Sequence, residues 1–195
     1  MNTLKAEKRN MNIKAKKLRR EGFVTGNVFG KEMKESMPIQ IEQAAIERLI
    51  KTSGKGSQVV LSIDGETIPA LIKEVDYDSM KRQVLQIDFQ ALVKGEKVHS
   101  VAEVVLINHD KVVAGVVEKL LNEISYRALP ESLVEKVEID VSEMKIGDTL
   151  KVRDLPIASD TGVDLMTDLD APVVTVFEAH NAAVPENEAS EEAEG

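Results

Sequence analysis

A basic segment opens the chain and is its most distinctive chemical feature. Ten of the 25 lysines and arginines lie within the first 34 residues, against three glutamates, although the whole protein carries a formal net charge of −9. Clustered ammonium and guanidinium groups attract polyphosphates, because they neutralise phosphates and release their counterions. The segment therefore indicates nucleic acid as the partner. Its densest part contains Lys14, Lys16, Lys17, Arg19 and Arg20.

Aromatic side chains are scarce, at 3% of residues with no tryptophan. Proteins that bind single strands usually stack successive bases on clustered aromatic rings. Duplex and folded RNA are instead recognised largely through shape and backbone contacts. The composition therefore favours duplex or folded RNA over single strands.

Catalytic chemistry has little support. Without cysteine there is no thiolate nucleophile, and the glycine-rich run 54–57 lacks the strand before it and the helix after it that a phosphate loop needs. Asp76, Asp78 and Asp88 could form an acid-base pair or metal site if their strands pair, but isolated surface carboxylates are commoner. Residues 164–170 lack the alternation of a calcium loop. The three histidines match no metal-ligand spacing and are expected on the surface: His99, His109 and His180. We expect no enzyme, no metal and no cofactor.

The compartment follows from what the composition lacks. The absence of cysteine suits a reducing environment. Residues 1–9 carry charge without the apolar run of a secretory signal, and no stretch reaches the roughly 18 to 20 apolar residues of a membrane span. We therefore expect a soluble, cytoplasmic protein that contacts no membrane and is a monomer when free.

Strands are predicted to position the polar groups in the first half. Residues 57–63 and 66–73 alternate around Asp64-Gly65, a pair that tolerates positive φ, so they predict a type I′ hairpin. Residues 83–93 alternate again and leave one polar strand face.

Two short helices are predicted beside these strands. Apolar residues at helical spacing within 41–52 indicate an amphipathic helix. The basic residues 14–20 can form one or two further turns that end at Gly22.

The second half is β-rich as well, so the fold class predicted is mainly β. We place a domain boundary near residue 93, giving domains 1–93 and 94–180, and predict a disordered acidic tail at 181–195. Residues 117–124 are also compatible with a helix. Strands of the second domain are predicted at 98–107, 112–117, 123–129, 134–141, 149–155 and 173–178.

Motifs spread along the chain resemble one known family. In order, they are Lys16-Lys17-Leu18-Arg19-Arg20-Glu21-Gly22, Asn27-Val28-Phe29-Gly30, Leu71-Ile72-Lys73-Glu74-Val75 and Gln86-Ile87-Asp88-Phe89, followed by 128–131, 137–141 and 146–148. Their order and spacing resemble the bacterial large-subunit ribosomal protein twenty-five family, in its long two-domain form known as the general stress protein Ctc. The resemblance covers roughly residues 1 to 180.

The resemblance implies an N-terminal antiparallel β-barrel with short helices and a second β-rich domain. It implies 5S rRNA, bound at a distorted helical loop, and other components of the large ribosomal subunit as partners. In that setting cations contact phosphates, while amides and a carboxylate hydrogen-bond 2′-hydroxyls and base edges. The RNA-binding residues expected are Lys14, Lys16, Lys17, Arg19, Arg20, Phe29, Lys73, Asp76, Gln86 and Asp88.

Three positions depart from the family pattern. Phe29 replaces a tyrosine in a run that has also lost a proline, Gln86 replaces a histidine, and Asp76 replaces a glutamine. A carboxylate at position 76 would repel phosphate. The alternative prediction is therefore a non-ribosomal or stress-specific β-domain interaction protein with weakened RNA binding.

Overall fold

The computed structural model describes residues 2–112 and 115–178. Its first part has the elements β1 (Asn2–Lys8), α1 (Ala15–Arg20), β2 (Phe23–Phe29), β3 (Met37–Glu42), α2 (Gln43–Thr52), β4 (Gln58–Ile63), β5 (Glu66–Asp78) and β6 (Gln83–Ala91). The six strands form a closed barrel in the order β1-β3-β2-β6-β5-β4.

The predicted hairpin is confirmed, because its turn chemistry is local. Asp64 and Gly65 connect β4 to β5 with φ values of 51° and 91°, the positive pair that a type I′ turn requires. Alternate residues of β4 face the barrel core, namely Val59, Leu61 and Ile63.

The barrel is mixed rather than purely antiparallel. Strands β1 and β4 pair in parallel, as do β2 and β6, whereas the other four seams are antiparallel as predicted. Parallel partners must be joined by long connections, so alternation within one strand does not reveal them. The β2–β6 seam is tight: a Cβ added at Gly26 would lie 2.0 Å from the carbonyl oxygen of Ile87.

Both predicted helices are confirmed. Helix α2 buries Ile46 and Leu49, and α1 buries Leu18 and is followed by Gly22 at φ 88°. Within the part of the chain that the structure describes, neither helix has the length and apolar character needed to cross a membrane.

The strands of the second part are β7 (Val98–Ile107), β8 (Val116–Lys119), β9 (Glu123–Ala128), β10 (Lys136–Asp140), β11 (Thr149–Lys151), β12 (Val163–Leu165) and β13 (Pro172–Phe177). They form two sheets, in the orders β10-β7-β9-β12 and β11-β13-β8. The helical alternative for residues 117–124 is wrong, since β8 ends and β9 begins there. Strand β12 was not predicted, because it has only three residues.

The barrel and the second part pack against each other. Leu71, Leu92 and Val98 form a small buried cluster there, and the amide of Gln58 donates to the carbonyl of Pro130 at 2.8 Å. A Cβ on Gly56 would lie 2.0 Å from the carbonyl oxygen of Val101, so the two backbones touch. The boundary near residue 93 stays a prediction, and the predicted tail lies outside the described residues.

Candidate nucleic-acid interface

Helix α1 presents its cations outward. Lys14, Lys16, Lys17 and Arg20 are exposed, while the one buried side chain of the helix is Leu18. Basic residues in its last turn suit the negative end of the helix dipole. Lys17 lies 3.8 Å from Glu21, an exposed pair of little energetic weight. Across the described residues, the remaining cations of α1 and Lys14 have no carboxylate within 4.0 Å.

An open groove separates α1 from the turn between β5 and β6. We call it the basic groove; its lining is Lys16, Arg19, Arg20, Asp78, Lys81, Gln83 and Leu85. Asp78 is engaged within that turn, since it accepts hydrogen bonds from the backbone N–H groups of Met80 at 3.1 Å and Lys81 at 3.0 Å. The bond from Lys81 is the main reason why the pKa of Asp78 is lowered. The groove therefore carries more positive than negative charge.

A row of side chains, polar except for Phe29, lies on the side of the paired strands β2 and β6 that faces away from the barrel core, and Thr25 within it is buried. The register places Thr25 opposite Gln86, Asn27 opposite Asp88, and Phe29 opposite Gln90. We call these six residues the strand row. Helix α1 packs against β2. The row runs from Thr25 to Phe29, a distance of about 13 Å at the usual rise per residue.

Asp88 accepts three hydrogen bonds within the strand row. Its Oδ1 accepts from the backbone N–H of Asn27 at 3.0 Å and from Asn27 Nδ2 at 3.2 Å, and its Oδ2 accepts from Gln86 Nε2 at 3.0 Å. A carboxylate held by three donors has a set orientation, and it orients both amides in return. Asp88 and Gln86 were predicted from the sequence, whereas Asn27 was not, because its only signal was its alternation with Phe29.

Strand β5 adds negative charge beside the row. Asp76 is exposed and lies opposite Gln86, and Glu74 lies opposite Asp88. Phe29, at the far end, is 36% exposed, enough for one ring face to meet a base. The structure thus brings together the α1 cations and the strand residues predicted from the sequence.

Lys73 is the exception. The β5–β6 register shifts between Ile72 and Glu74, so Lys73 is the extra residue of a bulge. Its ammonium reaches the second domain, donating to the carbonyl of His99 at 2.8 Å. It therefore lies apart from α1, because a bulge changes the direction of the strand.

Two of the three histidines can be placed. His109 is exposed as predicted, and His99 is partly exposed where it lines a cavity between the two domains. His180 lies outside the described residues. In the described part, no three histidine or carboxylate side chains converge to hold a metal ion.

Comparison with known proteins identifies the chain's family. Residues 4–89 match the Ribosomal L25p family, and residues 97–180 match the C-terminal domain of ribosomal protein TL5. A protein of Caldanaerobacter subterraneus subsp. tengcongensis named large ribosomal subunit protein bL25 is 30% identical over 194 residues, covering 97% of this chain and 96% of that protein. The chain belongs to the ribosomal L25p family.

Other members of the L25p family match over similar lengths. Proteins with the same printed name occur in Enterococcus faecalis, 31% identical and covering 91% of this chain and 86% of that protein, and in Bacillus pumilus, 28% identical and covering 98% and 93%. Together with the TL5 match, they identify the long two-domain form. The L25p family is structural and not enzymatic, which agrees with the prediction from the sequence.

Proposed function

We propose that this L25p protein is a structural component of the large ribosomal subunit that binds 5S rRNA through α1, the basic groove and the strand row. L25p proteins are ribosome-associated in the bacterial cytoplasm, and the same placement is expected here. Other components of the large subunit are then its neighbours.

The observation that carries this proposal is Asp88, held by Asn27 and Gln86 on the strand pair β2–β6, against which α1 packs. Cations alone give affinity for any phosphate backbone, whereas oriented carboxylate and amide groups can select hydroxyls and base edges. The wide, shallow minor groove of RNA displays both kinds of group. The α1 cations would neutralise phosphates while the strand row reads the groove.

A second candidate is a stress-specific relative with weakened RNA binding. It is favoured by the carboxylates of Glu74 and Asp76, which add to Asp88 on adjoining strands of one surface. Exposed carboxylates near phosphate reduce affinity, most strongly at low salt.

A competition experiment tests the proposal. The full chain should retard labelled 5S rRNA in a gel at near-physiological salt, and excess unrelated duplex RNA should displace it poorly. Equal displacement by both RNAs would contradict specific binding. Sedimentation separates the two candidates, since a ribosomal component should travel with 50S particles through a sucrose gradient, and a weakened relative should remain at the top.

A further inference from the structure

A cavity of about 260 Å³ lies at the junction of the two domains. Lys55, Glu74 and Lys73 line it from the barrel, and His99 and Glu123 line it from the second domain. It opens to solvent, and the close approach of Gly56 to Val101 fixes one of its walls. We call it the junction cavity.

The junction cavity collects basic groups from both domains. Lys73 Nζ lies 3.3 Å from His99 Nδ1 while it donates to the carbonyl of His99 at 2.8 Å. Arg127 lies directly opposite His99 across β7 and β9, and cross-strand partners share one face of a sheet. Lys55 lines the same cavity. Four groups that can carry positive charge are therefore close together.

The carboxylates offset only part of this charge, because two lysines and two glutamates line the cavity and Arg127 beside it adds one further positive charge. Glu123 is engaged by Lys55, with N–O distances of 3.2 and 3.4 Å, and Glu74 also lines the cavity. Across the described ranges, Lys73 and Arg127 have no carboxylate within 4.0 Å. An anion in the cavity would meet Lys73 directly, with Arg127 adding positive charge from the same face of the sheet.

The pKa shifts of two groups in the free protein agree with an excess of positive charge at the cavity. Burial lowers the pKa of His99, and the charges of Lys73, Arg127 and Lys55 lower it further. Burial and Lys55 likewise lower the pKa of Lys73. The cluster therefore disfavours its own positive charge, and a bound anion would relieve that repulsion.

We propose that the junction cavity binds a phosphate group through Lys73 and His99, with Lys55 and Arg127 adding positive charge. The phosphate belongs to an RNA backbone that crosses the strand row, because the cavity adjoins the row: Glu74 lines the cavity and lies opposite Asp88 in the β5–β6 register. This choice of source rests on the proposed function. Binding there would make the second domain part of the RNA interface.

Titration of the isolated full chain with inorganic phosphate tests the site without RNA. Backbone amide signals of Gly56 and Val101 and the imidazole signals of His99 should shift and saturate at millimolar phosphate. Lys73→Met keeps the aliphatic stem and should abolish the saturable shifts, whereas Lys51→Gln, an exposed lysine of α2, should leave them unchanged. Arg127→Gln at the exposed edge should weaken binding several-fold, which serves as a second variant if Lys73→Met fails to fold. Absence of a saturable shift in the wild-type chain would overturn the site.

Binding to 5S rRNA distinguishes the source of the phosphate. If the phosphate belongs to RNA, Lys73→Met should reduce 5S rRNA affinity about five-fold and lower the salt slope by about one. An unchanged affinity, with phosphate titration intact in the wild-type chain, would overturn the RNA source and assign the cavity to free phosphate. Failure of the wild-type chain to bind 5S rRNA would contradict the proposed function, while the phosphate titration would still decide the cavity.

Discussion

The cations of helix α1 in the barrel and two lysines of the second domain are placed differently. In the second domain, Lys97 lies 2.6 Å from Asp164, and Lys151 lies 3.3 Å from Asp170. Within the described residues, the α1 cations of the basic groove have no such partner within 4.0 Å.

This difference indicates which lysine and arginine side chains are available to a ligand. A lysine already paired with a carboxylate must lose that partner before it can contact phosphate, whereas an unpaired one loses only water and counterions. The net charge of −9 therefore does not prevent RNA binding, because the uncompensated positive charge is local.

The largest effect on stability is expected at the seam between β2 and β6, the two strands that carry the strand row. In Gly26→Ala, the new methyl would meet the carbonyl of Ile87 and push the strands apart, so the free energy of unfolding should fall by about 3 kcal/mol. Urea unfolding followed by circular dichroism measures this. Gly54→Ala is the control, because nothing lies within 4 Å of its Cβ position. Equal midpoints for the two variants would show that the seam is not tight.

Local features of the fold were predictable from the sequence, and non-local ones were not. The Asp64-Gly65 turn and both helices depend on neighbouring residues, so their patterns sufficed. Strand β1 was missed, because its charged residues obscure the alternation and its parallel partner β4 is far along the chain.

The residues of the candidate site divide in the same way into those that a local pattern predicts and those that distant parts of the chain position. The α1 cations and Asp88 could be named from the residues and the family resemblance. The position of Lys73 depends on a bulge, and that of His99 depends on how two domains pack, neither of which the pattern contains. Lys81 was missed because only the turn between β5 and β6 brings it to the basic groove.

Asp88→Ala tests whether RNA binds to the barrel surface rather than to the second domain. It removes a possible RNA contact and releases Asn27 and Gln86, and a charge-assisted hydrogen bond contributes about 1.5 to 3 kcal/mol. The affinity for 5S rRNA should therefore fall at least ten-fold, as measured by filter binding. Asp164→Ala removes a carboxylate from the second domain and should leave affinity unchanged. Similar losses in both variants would place the RNA surface elsewhere.

Asp76→Gln should increase affinity by a smaller factor. A carboxylate about 6 Å from a phosphate costs about 0.7 kcal/mol at the dielectric constant of water, so its removal should raise 5S rRNA affinity about three-fold. The gain should shrink as salt rises. Glu66→Gln, at the other end of β5, is the matched control and should have no effect. Weaker binding by Asp76→Gln would mean that the carboxylate accepts a hydrogen bond from RNA.

The smallest effect concerns pH and the domain junction. Burial, Lys73, Arg127 and Lys55 lower the pKa of His99 in the folded protein, so the unfolded chain takes up the proton first as pH falls. Stability should therefore decrease as pH drops through about 6.5. Melting temperatures at pH 7.5 and 5.5 should differ less in His99→Gln than in the wild type or in the exposed control His109→Gln. Identical pH responses in all three proteins would contradict this coupling.

The salt dependence of 5S rRNA binding tests the central claim most directly. If the five cations of the basic segment from Lys14 to Arg20 contact phosphates, log affinity should fall against log salt with a slope of roughly −3 to −5. Arg19→Ala combined with Arg20→Ala should flatten that slope by about 1.5, whereas Lys97→Ala combined with Lys151→Ala removes equal charge from the second domain and should leave it unchanged. An unaltered slope in the α1 variant, or equal flattening in both, would contradict the account.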